Sequence, residues 1–288
     1  LNPPVSIGAE PAPQRVISLS PSVTEILFGI GVENQVVGVT DFCNYPEAAK
    51  KIPRVGGFIN PNMEVLLSLQ PDLLIVQDSA RHIETQTQAL GIPTLSLQLG
   101  SVQAILDSIL QLGRVMNAQN RAQALHDRIA HGIEFYRAKL KNHPPKPVFL
   151  VFAESSGDAN DLFAVGKGAF LDDLLTLAGG KNILPETSAP YPKISTEFVI
   201  RQSPQIIIEL LPGNRGIETE TRVRKRWEGF SSIPAVRDKN IHFLIADYMT
   251  IPGPRILNII DNFARAIHPD VFANTPPYIV PEGKIVHP

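Results

Sequence analysis

Apolar residues along the first third of the chain fall into short unbroken aliphatic runs: RVISL (15–19), VVGVT (36–40), DLLIV (72–76) and PTLSL (93–97). Runs without polar alternation predict strands buried on both faces. Between them the spacing turns helical. SPSVTEILFGIG has Ser22 and Glu25 at capping-box separation and Gly31 where a helix would stop. PNMEVLLSL predicts a short helix capped by Asn62, and IETQTQALG a third helix. Strands alternating with helices imply a mostly parallel sheet covered on both sides.

From Ser101 to Val115 the apolar positions again recur at helical spacing, and Met116–Ala118 breaks the pattern. Residues 119–141 then read as one long helix, ~33 Å at 1.5 Å per residue. After HPPKP (143–147) the alternation restarts. VFLVF (148–152) is a strand, AFLDDLLTLAGG (169–180) a helix with a glycine stop, and STEFVIRQS (195–203) a short helix. QIIIEL (205–210) and IHFLI (241–245) are strands, and PRILNIIDNFARAI (254–267) is the last helix.

The predicted fold is α/β, with two Rossmann-like lobes of mostly parallel strands joined by a single long backbone helix. Its expected bounds are an N-terminal lobe over 14–115, a linking helix over 116–142, a C-terminal lobe over 143–268 and a Pro-rich surface tail over 269–288. A continuous helix cannot bend far without breaking its hydrogen-bond ladder. A cleft between such lobes is therefore expected to be largely formed before a ligand arrives.

One segment is written twice. NMEVLLSLQPDLLIV (62–76) and STEFVIRQSPQIIIE (195–209) each carry a small polar residue, then Glu two places on, then Pro seven places after the Glu, then an aliphatic run. Glu64 and Glu197 lie 133 residues apart in the sequence. A carboxylate in a first helical turn favours the helix dipole, which accounts for either acid alone. Two acids at the same place in two similar lobes suit docking onto a partner with two basic sockets.

Composition narrows the function. With 288 residues and a net charge of −2, the chain has room for two domains and lacks the basic excess of a nucleic-acid binder. Its most basic run, Arg222, Arg224, Lys225 and Arg226, is flanked by Glu218, Glu220 and Glu228 and reads as a solvated helix face. Trp227 beside it reads as core. A lone cysteine, Cys43, rules out an internal disulfide and is more readily packed than catalytic. No apolar run reaches the ~18 residues of a membrane span, and LNPPVSIGAEPAP reads as a tether or trimmed start.

Enzyme signatures are missing: there is no GxSxG elbow, no GxGxxG after the first strand, and GKG at 166–168 lacks the rest of a phosphate loop. Aromatics instead collect in predicted loops. Phe42, Tyr45 and Phe58 do so in the first half, Phe163 and Tyr191 in the second, and Asp247-Tyr248 follow IHFLI. Each singly can be packing. The set, placed at strand carboxyl ends, suggests an apolar-faced site for a large flat ligand.

RVISLSPSVTEILFGIG, VVGVTDFCNYPEAAKKIPRVGGF, NMEVLLSLQPDLLIV, APYPKISTEFVIRQSPQIII and PGPRI together resemble the helical-backbone class of ABC-importer substrate-binding proteins, and within it the cobalamin (vitamin B12) binders. The resemblance runs from about Arg15 to Phe272. It implies a receptor without catalysis or cofactor, periplasmic or anchored outside the cytoplasm as a lipoprotein, and monomeric. Its partners would be a permease with its ATPase subunits and a small-molecule cargo, cobalamin or a related corrinoid. It implies ligand contacts at Ser22, Val23, Phe42, Tyr45, Gly57, Phe58, Tyr191 and Asp247, and permease docking through Glu64 and Glu197.

The chain departs from the cobalamin binders by having Phe58 and Tyr191 where they carry tryptophan, and Ile251 where they carry a charge. Haem or a ferric siderophore stays open as cargo, with Tyr45, Tyr191 or Tyr248 as an axial oxygen for haem. A metal-binding protein or an enzyme built on Cys43 is the reading from another class.

Overall fold

The computed structural model describes residues 11–154, 161–186, 189–211, 221 and 225–278. They form two compact α/β units. The first comprises residues up to Leu97 together with Ser108–Leu125, and the second Gln98–Asp107 and the residues from His126 onward.

In the first unit, β1 (Val16–Ser18), α1 (Pro21–Gly29), β2 (Val36–Val39), α2 (Met63–Ser68), β3 (Leu73–Gln77), α3 (Arg81–Ala89) and β4 (Thr94–Leu97) follow in order. All four strands are parallel, in the spatial order β2-β1-β3-β4. Ile17, Leu19, Val55, Leu66, Leu74, Val76 and Ile83 pack as its core. β3 is buried on both faces from Leu73 to Val76, which is why its sequence shows no alternation. α1 begins earlier than the Ser22–Glu25 spacing predicts. Ser20 is its cap, accepting from the Val23 amide at 3.2 Å, and Pro21 occupies the first turn where its missing N–H costs nothing.

α4 (Val102–Val115) and α5 (Gln119–Leu140) follow. Gly113 lets them meet closely, because a Cβ there would lie 2.3 Å from that of Ala122. α5 is a single 22-residue helix that runs from the first unit into the second, the division falling at Leu125.

The second unit holds β5 (Lys146–Glu154), β6 (Asp161–Ala164), α6 (Phe170–Leu177), β7 (Gly180–Asn182), β8 (Lys193–Ser195), α7 (Thr196–Gln202), β9 (Ile206–Leu211), α8 (Pro234–Arg237), β10 (Ile241–Ile245), α9 (Ile256–Ile267) and α10 (Pro269–Phe272). β10, β9, β5 and β7 are mutually parallel, while β6 and β8 add an antiparallel pair on β5 that the sequence pattern did not predict. β6 and β8 are four and three residues long, too short to show a period. The sheets are thus mostly parallel in both units, and β1-β3-β4 of the first has its counterpart in β5-β9-β10.

Trp227 is core, as its type suggested, but the basic run beside it is not wholly a solvated face. The Arg226 side chain is only 9% exposed and reaches to 3.5 Å from the Glu209 carboxylate. Glu209 sits on a buried strand and also accepts from Trp227 Nε1 at 2.6 Å. A buried carboxylate needs partners from distant sequence, and these arrive from the next segment. Arg222 and Arg224 lie outside the described residues.

The Pro-rich stretch after His268 is packed as far as Tyr278. Phe272 is buried, Arg265 of α9 donates to the carbonyls of Phe272 and Thr275, and the Tyr278 amide donates to Tyr136 Oη. Tyr136 in turn donates to Asp261 at 2.7 Å; burial and that carboxylate push its phenol pKa up.

One buried histidine, His268, and one half-buried histidine, His242, make the second unit acid-sensitive. Burial holds both His268, whose Nε2 is 3.1 Å from Gly179 O, and His242 below the ordinary value of 6.5. The unfolded chain takes up these protons first. Their stabilisation is therefore full above the ordinary value and is lost as pH falls from there through the depressed folded-state pKa values. We expect the Tm to fall as the pH drops below the ordinary histidine value, and a H242Q/H268Q variant to show a shallower decline. An equal slope in both proteins would contradict this assignment.

Candidate functional site

In a parallel α/β sheet, ligands bind at the carboxyl ends of the strands, where loops leave the sheet. The first-unit candidates lie there. The β1 loop leads through Ser20 into α1 and places Ser22 and Val23 in its first turn; these are 2% and 0% exposed, so their side chains are spent on packing. The loop after β2 carries Phe42, Tyr45, Gly57 and Phe58. Phe42 is 61% exposed, an expensive place for a phenyl ring on a protein surface. Tyr45 is half-buried, and Phe58 packs partly against the first-unit core. A Cβ on Gly57 would lie 2.7 Å from Asn60 Oδ1, so the turn before Phe58 is closely fitted. Ile59, 65% exposed beside Phe58, is an apolar surface residue that the sequence reading missed.

Cys43 ties these loops together. Its Sγ is 3.1 Å from both Thr24 Oγ1 of α1 and Thr40 Oγ1, and burial raises its thiol pKa. A protonated, buried thiol is a packing group rather than a nucleophile. Arg54 donates to the carbonyls of Thr40 (2.6 Å) and Cys43 (2.9 Å), which pins the backbone on either side of Phe42.

In the second unit, Phe163 lies on β6, half-buried, between two residues that face the core, Leu162 and Ala164. Tyr191 precedes β8, and its ring lies 4.3 Å from that of Phe152 at 34°. Phe152 of β5 was read only as strand; its alternation with core residues Phe149 and Val151 was the available signal. Burial raises the Tyr191 phenol pKa. Asp247 and Tyr248 follow β10 and gather around a third residue, Arg255. Its Nη1 donates to Asp247 Oδ1 at 2.9 Å, and its guanidinium lies 5.2 Å from the Tyr248 ring centre.

The two repeated acids occupy matching local positions. Asn62 caps α2, accepting from the Glu64 and Val65 amides at 3.1 Å each; Ser195 caps α7, accepting from Phe198 N at 3.3 Å. Each Glu is the second residue of its helix and is exposed. Each helix is followed by a left-handed residue, Gln70 (φ 47°) or Ser203 (φ 49°), directly before the repeated proline. The backbone N–H of Glu197 and the Ser195 hydroxyl hold its carboxyl below the usual range. Among the described residues, no group of three or more His, Cys, Asp or Glu side chains is placed to hold a metal. None of the helices formed by them is long and apolar enough to cross a membrane.

Two α/β units of like strand order, a continuous helix passing from one into the other, and aromatic residues in the loop after β2 agree with the architecture that the sequence resemblance implies. The chain belongs to the periplasmic binding protein family, whose pattern matches residues 16–248. It is 30% identical to the vitamin B12-binding protein of Salmonella choleraesuis, over 92% of each chain. It is 29% identical to an ABC transporter substrate-binding lipoprotein of Bacillus subtilis, over 94% of this chain and 84% of that one. A periplasmic haem-binding protein of Pseudomonas aeruginosa shares the fold at 25% identity and a TM-score of 0.74, over 89% of this chain and 93% of that one.

Proposed function

We propose that the protein is the extracytoplasmic receptor of an ABC importer, that it captures cobalamin or a related corrinoid, and that it delivers this cargo to a permease carrying ATPase subunits. The observation that carries the corrinoid assignment is the 30% identity to a vitamin B12-binding protein along 92% of both chains. The chemistry of the loops agrees with it. In the first unit Phe42, Phe58 and Ile59 offer apolar contact suited to a macrocycle; in the second unit the Phe152–Tyr191 pair offers flat aromatic faces and Asp247 a polar acceptor. Ser22 and Val23 would act through the backbone they place, since their side chains are buried.

Haem is the second reading, favoured by the structural likeness to the Pseudomonas aeruginosa haem binder. Its chemistry fits less well. Haem ligation by Tyr needs an oxygen that gives up its proton easily, whereas burial raises the Tyr191 pKa.

Calorimetric titration of the purified protein with cyanocobalamin and, in parallel, with haemin separates the two. Saturable heat with cyanocobalamin at tens of micromolar or below (about −6 kcal/mol or stronger) is the expected result. No heat there, with a Soret shift on haemin that one of Y45F, Y191F or Y248F removes, would transfer the assignment to haem. Docking through Glu64 and Glu197 completes the proposal, with the receptor acting as a monomer.

A further inference from the structure

Arg255 is the least expected side chain near the proposed ligand positions. It stands at the N-cap of α9, yet its side chain is only 7% exposed, while its partner Asp247 is 57% exposed. Withdrawing a guanidinium from water is costly unless a carboxylate and hydrogen bonds compensate it. An ion pair made only for surface stability would gain little and would leave both partners solvated. Here the cation alone is withdrawn, and the anion is held at the surface.

A second group on the same helix completes the arrangement. Asn262 lies seven residues after Arg255, hence on the same face of α9, and its Nδ2 donates to Tyr248 Oη at 3.1 Å. Arg255 bonds Asp247 from below and lies under the Tyr248 ring at 5.2 Å. The turn itself is short, with the Ile251 amide donating to Tyr248 O at 3.0 Å and that of Gly253 to Ile251 O at 2.9 Å. Two side chains from one rigid helix therefore grip the two consecutive residues that follow β10. Asp247 Oδ1 is taken by the guanidinium, while the Asp247 side chain stays 57% exposed and so presents its carboxylate to the surface.

We infer that Arg255 is the positioning residue of the ligand site: it fixes the Asp247–Tyr248 turn and presents the Asp247 carboxylate as a charge-compensated acceptor for a neutral N–H donor on the cargo. The pairing sets the selectivity. An unpaired carboxylate would favour a cationic group, whereas a carboxylate already matched to a guanidinium accepts from an uncharged amide without gaining net charge. A corrinoid periphery carries such amides. The inference rests on the corrinoid reading for the identity of the donor, but the grip on the turn belongs to the free protein.

The test is a double-mutant cycle read in cyanocobalamin affinity, together with hydrogen exchange of the free protein over residues 246–251. R255M and D247N should each weaken binding by about tenfold, and the double variant should be no weaker than D247N alone, since Arg255 acts through Asp247. R255K should recover part of the loss, and it takes the place of R255M in the cycle if that variant does not fold. Multiplying losses, near a hundredfold in the double variant, would overturn the inference because a general structural defect adds independently. Exchange at 246–251 should quicken in R255M or R255K, and unchanged exchange would overturn it as well. If the unmodified protein itself ignores cyanocobalamin, the corrinoid reading fails on its own account, and the exchange measurement alone decides whether Arg255 holds the turn.

Discussion

Replacing both Glu64 and Glu197 by Arg abolishes cargo uptake by cells and leaves the cargo affinity of the purified receptor unchanged: this is the expected result if the two acids are docking groups. Both side chains are exposed and belong to short surface helices rather than to the aromatic loops. Charge reversal turns an attraction into a repulsion at each contact. Two contacts on one body bind a partner as linked events, so losing both weakens association by far more than losing either. The helix-dipole cost of a cation at an exposed second helical position is small. The caps themselves, Asn62 and Ser195, are untouched, so both helices should survive. Cargo titration of the double variant checks that they do. Uptake at the unmodified rate would remove the acids from the mechanism and leave them as ordinary first-turn carboxylates.

Truncating Trp227 to Ala should be the most destabilising single change outside the glycines. The indole is 1% exposed and packs edge-on against Phe149 at 6.3 Å and near Phe230 at 6.4 Å. Removing a buried aromatic costs about 3–5 kcal/mol through lost contact and residual cavity. The change also strips Glu209, itself 1% exposed, of its 2.6 Å donor. A buried carboxylate that loses a partner adds about 1–3 kcal/mol. Against a typical stability of about 5–15 kcal/mol, the sum removes a large share of the second unit's margin. W227F separates the terms in part: it keeps a six-membered aromatic ring but loses the N–H together with the rest of the indole, so its penalty should lie between the smaller figure and that of W227A. Urea unfolding of the two variants measures both. A W227F variant as stable as the parent would mean that Glu209 is satisfied without the indole, through Arg226 and its other neighbours.

Much of the architecture was legible because parallel strands buried on both faces leave unbroken aliphatic runs. DLLIV and QIIIEL could be nothing else once each was followed or preceded by helical spacing. Asn62 was readable as a cap because a short polar side chain before an amphipathic run has one common use. The α1 start was misplaced by two residues because Ser20 and Ser22 are chemically alike, and only the backbone (φ −153°, ψ 151° at Ser20) tells which one leaves the helix. The strand pair β6–β8 was invisible because three or four residues cannot display a period. Ser22 and Val23 were given as contacts by the resemblance, and the fold buries their side chains, which no local pattern could announce.

Local spacing by itself therefore determined the alternation of strands and helices, the long α5, and the doubled segment with its capped helix, acid and proline, because each depends on residues within a few positions of one another. Tertiary structure decided which polar groups are withdrawn and by whom they are met: Glu209 by Trp227 and Arg226, Cys43 by Thr24 and Thr40, Arg255 by Asp247. Some of those partners lie well along the chain, Trp227 eighteen residues from Glu209 and Thr24 nineteen from Cys43. A buried charge is tolerable only where the fold carries its complement to within a hydrogen bond, a condition on three-dimensional distance that no run of sequence can express.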